Sequence, residues 1–165
     1  MEVKEIKKRV LELNRNAMDL LKDSNFEESL EILTTALKIL APADNTKIKY
    51  KLLSITQNNL GCYYKRKNQP KIALNYLSQA CKSEKKGQLD NTTRSGTYLN
   101  ICAIYLTLGK HKMALKNSLK ALSLLKTSED TENYISTIVI RYYNTEIECE
   151  FLHQANESLE NHELA

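Results

Sequence analysis

Asparagine recurs at a regular spacing in this chain of 165 residues. Asn59, Asn100 and Asn144 follow one another at intervals of 41 and 44 residues. A carboxamide group donates and accepts hydrogen bonds at once, so each of these side chains can pair with both polar groups of an extended peptide backbone. The alternative is that they solvate a helix face or bond to a neighbouring helix. Their recurrence favours a role in ligand binding.

Basic side chains lie on the predicted helix face of Asn59 and on the equivalent face of an earlier helix. Residues spaced four, three and four apart lie on one face of an α-helix. The four faces are Leu11, Arg15, Met18 and Lys22; Ile55, Asn59, Cys62 and Arg66; Gly96, Asn100, Ala103 and Thr107; and Ile140, Asn144, Ile147 and Phe151. Arg15, Lys22 and Arg66 make one end of this surface basic, and the last face makes the other end apolar. We expect a protein or peptide partner with acidic residues at one end, with a solvated face as the alternative for the basic residues.

No arrangement for catalysis, cofactor binding or metal binding is recognisable in the sequence. His111, His153 and His162 accompany no nucleophile in a known pattern, and there is no P-loop, dinucleotide-binding, zinc-protease or hydrolase motif. Four glycines offer little backbone for a phosphate cradle. The cysteines are widely spaced and are expected to be reduced thiols in helix packing: Cys62, Cys81, Cys102 and Cys149. The sequence predicts a protein that is not an enzyme and has no cofactor.

Charge is distributed unevenly along the chain. Residues 1–128 hold 23 Lys and Arg against 11 Asp and Glu, whereas residues 129–165 hold one Arg against nine Asp and Glu. A basic body and an acidic end could associate head to tail between molecules, so self-association is a further expectation. Basic residues also cluster near predicted helix ends, at residues 65–67, 82, 85–86 and 110–112. Nucleic acid is therefore an alternative partner, although no recognised nucleic-acid motif is present.

Neither a membrane span nor a secretory signal is indicated. No run of 18 apolar residues occurs, so the sequence predicts no membrane segment. The first ten residues are charged and no continuous apolar stretch follows them. We expect the protein to be cytoplasmic.

Internal repetition predicts how these residues are positioned. Helix breakers are scarce, and a recurring pattern of small and large residues predicts four helical hairpins, at about 3–41, 45–86, 91–127 and 130–163. The first helices are expected at 3–23, 45–67, 91–109 and 130–152, and the second helices at 26–41, 70–86, 111–127 and 155–163. Small residues are expected where the two helices of a hairpin cross. Gly87 and Gly109 are expected to end helices in the left-handed conformation.

The repeats resemble the tetratricopeptide repeat family. Its signature, W-x2-L-G-x2-Y, then A-x3-F, then alanine and proline, is matched by Leu60-Gly61-x2-Tyr64, Ala73-x3-Leu77 and Ala80, and by Ile101-Cys102-x2-Tyr105, Ala114 and Ala121. The first copy is weaker, and the fourth is weakest because Glu146 falls where glycine or alanine is usual. Offsets of 44, 41 and 44 residues exceed the usual 34 and are similar to the lengthened repeats of kinesin light chains and related adaptors. The resemblance implies an all-α fold, a right-handed α-solenoid of three full hairpins and a partial fourth, as one domain over residues 1–165.

The resemblance also implies a function. Superhelices of this family carry an asparagine ladder along the concave groove, so Asn59, Asn100 and Asn144 would clamp the main chain of a bound peptide. The protein would then be an interaction scaffold or adaptor. The carboxylate clamp of chaperone-binding members is not predicted, because Asn59 alone fits its pattern. The alternative function is a structural subunit of a larger assembly, one that could include nucleic acid bound to the basic body.

Overall fold

The computed structural model describes residues 2–125, which form six α-helices. They are α1 (Val3–Lys22), α2 (Phe26–Leu40), α3 (Lys47–Arg66), α4 (Pro70–Gly87), α5 (Asn91–Thr107) and α6 (His111–Leu125). No strand occurs in this part, so the all-α prediction is confirmed for it. Every bound of α1 to α5, and the start of α6, lies within two residues of the expected one, whereas the expected end of α6 at residue 127 lies outside the described residues. The expected fourth hairpin lies outside the described residues. The solenoid arrangement and its handedness stay predictions.

The helices pack as consecutive pairs, α1 with α2, α3 with α4 and α5 with α6. The chain divides into two compact units, Met1–Leu89 and Asp90–Ala165. In the first unit α3 also contacts α1 and α2, so the two helix pairs form one body. In the second unit the structure describes α5 and α6. Organisation as one domain stays a prediction.

Apolar side chains of α1, α2 and α3 form a large part of the core of the first unit. Two clusters run along it: Val10, Leu13, Ala36, Leu40 and Leu52, and Ala17, Leu21, Leu33, Leu60 and Tyr63. The members from α1 are spaced three, four and four residues apart, which places them on one helix face. Burial of each leucine side chain contributes about 2 kcal/mol to folding. This core fixes α3 against the first helix pair.

Small residues occupy the helix crossings, as expected. In the second pair, a β-carbon added to Gly61 would lie 2.6 Å from Leu77 Cγ and 3.4 Å from the Ala73 carbonyl oxygen. In the first pair, the Ser29 hydroxyl donates a hydrogen bond of 2.8 Å to the Ala17 carbonyl. Such contacts require small side chains on both helices.

The two glycines expected at helix ends behave differently. Gly109 has a φ of 66°, which confirms the left-handed conformation expected there. The expectation for Gly87 is wrong, because Gln88 takes the left-handed conformation, with a φ of 54°, and Gly87 is the last helical residue. A β-carbon at Gly87 would lie 3.0 Å from the Lys51 backbone nitrogen. Glycine is needed there because the end of α4 approaches the backbone of α3 closely.

A helix that spans a membrane must be both long enough and apolar enough to cross the bilayer. Within residues 2–125, no helix meets both requirements.

Candidate functional site

The candidate site in the first unit lies on α1 and α3. We call it the first-helix surface and define it by the two predicted faces: Leu11, Arg15, Met18 and Lys22 of α1, and Ile55, Asn59, Cys62 and Arg66 of α3. Arg15, Lys22 and Arg66 are exposed, whereas Met18, Ile55, Asn59 and Cys62 are half-buried. Because α1 and α3 are in contact, these side chains belong to two neighbouring helices.

A buried hydrogen-bond network joins the two helices at Asn59. The Asn59 Nδ2 donates to Asn14 Oδ1 at 2.8 Å. Asn14 is 3% exposed, and its Nδ2 donates to Thr56 Oγ1 and to the Val10 carbonyl, both at 2.9 Å. The Thr56 hydroxyl in turn donates to the Leu52 carbonyl at 3.1 Å. Buried polar groups with partners at these distances are well satisfied, so the network sets the spacing of α1 and α3.

Asn14 was not predicted to have this role. Its position in the sequence could have indicated a buried hydrogen bond, because Asn14 interrupts an apolar helix face that contains Val10 and Ala17. An amide on such a face requires a partner across the helix interface. The sequence does not identify Thr56 as that partner, since the two residues are 42 positions apart.

Arg66 and Lys22 have partners within the first unit. Arg66 Nη1 donates a hydrogen bond of 2.6 Å to the Leu21 carbonyl, so it binds an acceptor at the C-terminal end of α1. Lys22 Nζ lies 2.9 Å from Asp19 Oδ1 in an exposed ion pair. The carbonyl leaves the charge of Arg66 uncompensated, whereas Asp19 partly compensates that of Lys22.

The remaining predicted site residues are distributed along the chain. Arg15 is exposed on α1, one residue beyond Asn14. Asn100 is half-buried on α5 and belongs to the second unit, which is described by itself. Asn144 lies outside the described residues. The structure thus brings Asn59 and Arg66 into contact with α1, and the asparagine ladder stays a prediction.

The cysteine on the first-helix surface has little reactivity. Burial raises the pKa of the Cys62 thiol, and the charge of Lys65 opposes this only in part. The thiol is therefore protonated at neutral pH and is a weak nucleophile. Among the described residues, Cys62, Cys81 and Cys102 form no disulfide bond. Within the described part of the chain, no three His, Cys, Asp or Glu side chains are grouped to hold a metal ion.

A second candidate surface emerges when charges are counted for each helix pair. Residues 2–44 hold seven Lys and Arg against nine Asp and Glu, whereas residues 45–89 hold ten against one. That one carboxylate, Glu84, is 2% exposed. The exposed ionisable groups of α3 and α4 are therefore all Lys and Arg side chains. The basic body predicted over residues 1–128 is therefore uneven, because its first hairpin has more carboxylates than cations and its second has ten cations to one carboxylate.

The next carboxylate along the chain, Asp90, serves as a helix cap. Its Oδ1 accepts a hydrogen bond of 2.8 Å from the Thr93 backbone nitrogen, at the first turn of α5. This hydrogen bond lowers the pKa of Asp90, and burial opposes the effect. Residues 45–128 contain 16 Lys and Arg and no carboxylate besides Glu84 and Asp90.

Comparison with family models, with curated proteins and with solved structures finds no match to this chain. The tetratricopeptide resemblance therefore rests on the repeated residues themselves.

Proposed function

We propose that this protein is a cytoplasmic interaction scaffold or adaptor that binds an acidic peptide segment of a partner protein along the first-helix surface. The observation that carries the proposal is the buried network of Asn14, Thr56 and Asn59. It holds two neighbouring helices at a set spacing, and it places Asn59 at the edge of that interface. Because the two helices are already held in place, less conformational entropy is lost when an extended peptide binds across them.

Asn59 keeps hydrogen-bonding capacity for a ligand. A carboxamide has two N–H donors and an oxygen that accepts. Among residues 2–125, the Asn59 side chain has one hydrogen-bond partner, the Asn14 side chain, which takes one donor. The second donor and the oxygen can pair with a carbonyl and an amide of a bound peptide. The proposal extends to Asn100 and Asn144 because they hold the equivalent repeat positions in the sequence.

The charges around Asn59 favour an acidic segment. Arg15 is exposed and pairs with no carboxylate of the described part. Arg66 keeps its charge because its partner is a neutral carbonyl. The exposed pair of Lys22 and Asp19 contributes little energy, so a carboxylate of the ligand can compete for Lys22.

The proposal is tested by selecting peptides from a phage-displayed library with the full chain as bait. We expect the selected peptides to be rich in Asp and Glu. Their dissociation constants are then measured by fluorescence anisotropy with two charge variants of α1. Arg15→Gln should weaken binding about tenfold, and Arg9→Gln, an exposed arginine on a different face of the same helix, should change it less than about twofold. Equal effects of the two variants would exclude the first-helix surface.

A matched pair of asparagine variants separates ligand binding from packing. Asn59→Ala and Asn14→Ala both remove the Asn14–Asn59 hydrogen bond, but only Asn59→Ala removes an amide that a ligand can reach. We expect Asn59→Ala to weaken peptide binding about fivefold more than Asn14→Ala, since one hydrogen bond contributes about 1 kcal/mol. Equal weakening would assign Asn59 to packing alone. Circular dichroism spectra of both variants check that the helices persist.

A further inference from the structure

The outward face of α4 carries cations and small polar groups. Its exposed side chains include Lys71, Asn75, Ser78, Lys82, Lys85 and Lys86. The one exposed large apolar side chain on this helix is Ile72. Glu84, the one carboxylate of α3 and α4, is buried. At 1.5 Å per residue the lysines extend over about 22 Å of helix. We call this set of six residues the α4 face.

Lysines at the ends of the second helix pair are oriented by neutral partners. Lys86 Nζ lies 5.0 Å from the centre of the Tyr50 ring, and Lys67 Nζ lies 4.7 Å from that of Phe26. Lys47 donates a hydrogen bond to Gln88 Oε1. An exposed ion pair joins Lys22 and Asp19, in the first helix pair. An aromatic ring or an amide positions an ammonium group without cancelling its charge, so these three lysines keep their positive charge.

We propose that the α4 face binds double-stranded nucleic acid through its phosphate backbone. Interfaces with nucleic acid are polar and strongly positive, whereas interfaces between proteins rely on buried aromatic and apolar anchors. The α4 face has the polar, positively charged composition of a nucleic-acid interface. Lysine side chains contact phosphates by charge, and the Asn75 amide and Ser78 hydroxyl can donate to phosphate oxygens.

The aromatic side chains of this helix pair favour a duplex over a single strand. Proteins that bind single strands stack bases on accessible aromatic rings. Here the Tyr64 and Tyr76 rings stack on each other, with centres 5.4 Å apart and planes 4° apart. Tyr63 is 5% exposed, and Tyr50 contacts Lys86. These rings already have partners within the protein, so phosphate contacts are the interaction that the surface offers.

This inference does not rest on the proposed function. The peptide would bind α1 and α3 around Arg15 and Asn59, and the duplex would bind α4. Each proposal can therefore fail without the other.

The experiment measures fluorescence anisotropy of a labelled 24-base-pair DNA duplex of mixed sequence with the full chain, over a series of salt concentrations. A triple variant, Lys82→Gln with Lys85→Gln and Lys86→Gln, should weaken binding at least about tenfold near 0.1 M salt. It should also lower the slope of log K against log salt by about 2.7, since each phosphate contact contributes about 0.9. Arginine at the same three positions should preserve binding.

The control has the same change in charge on the first helix pair. Lys4→Gln, Lys7→Gln and Lys8→Gln alter three exposed lysines of α1 and should weaken binding less than about twofold. Equal weakening by both triple variants, or no binding by the unaltered chain at about 0.1 M salt, would overturn the inference. So would displacement of the duplex by poly-glutamate as effectively as by unlabelled duplex, since an acidic polypeptide would then be the partner. A labelled single strand that binds more tightly than the duplex would also overturn it.

Discussion

The two helix pairs of the first unit have similar packing but different charge. Ala17 and Ser29 meet at the crossing of the first pair, and Gly61 and Ala73 meet at that of the second, all of them buried. Yet the first pair has slightly more carboxylates than cations, and the second has ten cations and one buried carboxylate. The comparison shows that packing and surface charge vary independently in this chain.

Packing and surface charge vary independently because the helix-crossing residues are buried, whereas the charged residues are mostly exposed. A residue at a helix crossing is constrained by neighbours on both helices, so its volume is restricted. A charge on an exposed position contributes little to stability, about 0–1 kcal/mol even when paired. The hairpin therefore does not determine which partner it binds, and function must be inferred from the surface of each pair.

The largest effect should come from the buried leucines that hold equivalent positions in the two pairs. Leu33 and Leu77 are both fully buried. We expect Leu33→Ala and Leu77→Ala each to lower the free energy of unfolding by about 3 kcal/mol, because each leaves a cavity. Urea denaturation followed by circular dichroism measures both losses. A loss in one variant only would show that the packing of the two pairs is not equivalent.

A smaller effect should reveal how closely α3 and α4 cross. Gly61→Ala places a methyl group against Leu77 Cγ, and overpacking of this kind costs about 1–3 kcal/mol. Alanine is also the better helix former by about 1 kcal/mol, so the net loss should be about 1 kcal/mol.

In a Leu77→Ala background, Gly61→Ala should stabilise the protein by about 1 kcal/mol, because the new methyl group no longer meets the Leu77 side chain. Urea denaturation of the two single variants and the double variant completes a double-mutant cycle, with a coupling of about 2 kcal/mol. Additive effects would show that Gly61 and Leu77 do not constrain each other.

An effect of about the same size as that of Gly61→Ala alone concerns Asp90, a carboxylate in the cation-rich part of the chain. Asp90→Ala removes the cap of α5 and should cost about 1 kcal/mol. The pKa of Asp90 in the folded protein lies below its ordinary value of 3.8, so the ionised form contributes stability above that pH. The contribution is lost as the pH falls through the folded pKa.

Thermal denaturation between pH 7 and pH 2.5 should therefore show the unaltered chain and Asp90→Ala converging in acid. Asp90→Asn is the control, because asparagine caps helices about as well as aspartate and does not titrate. A constant difference between the unaltered chain and Asp90→Ala at every pH would contradict the role of the charge.

Much of the local structure could be predicted from the sequence, because it depends on spacing. The helix bounds follow from apolar periodicity and from breakers such as Pro70, and the close crossing follows from Gly61 and Ala73. The prediction for Gly87 failed because a glycine at a helix end serves either a left-handed turn or a close approach, and only the position of Lys51 decides between them.

The site was less predictable, since it depends on contacts between residues distant in sequence. Asn59 could be recognised as recurrent, but its hydrogen bond to Asn14 joins residues 45 positions apart. The charge difference between the helix pairs was visible in the sequence once the hairpin limits were drawn. The partner for each charge was not, because it depends on which side chains the fold brings together.

The Asn14 network has a consequence for how the chain folds. Neighbouring repeats resemble one another, so purely apolar helix faces could pair in a shifted alignment at little cost. A shift of α1 by one turn along α3 would leave the Asn14 amide buried without Thr56, at a cost of about 1–3 kcal/mol. The buried amide therefore disfavours shifted pairings of α1 and α3, and it favours the register that the structure shows.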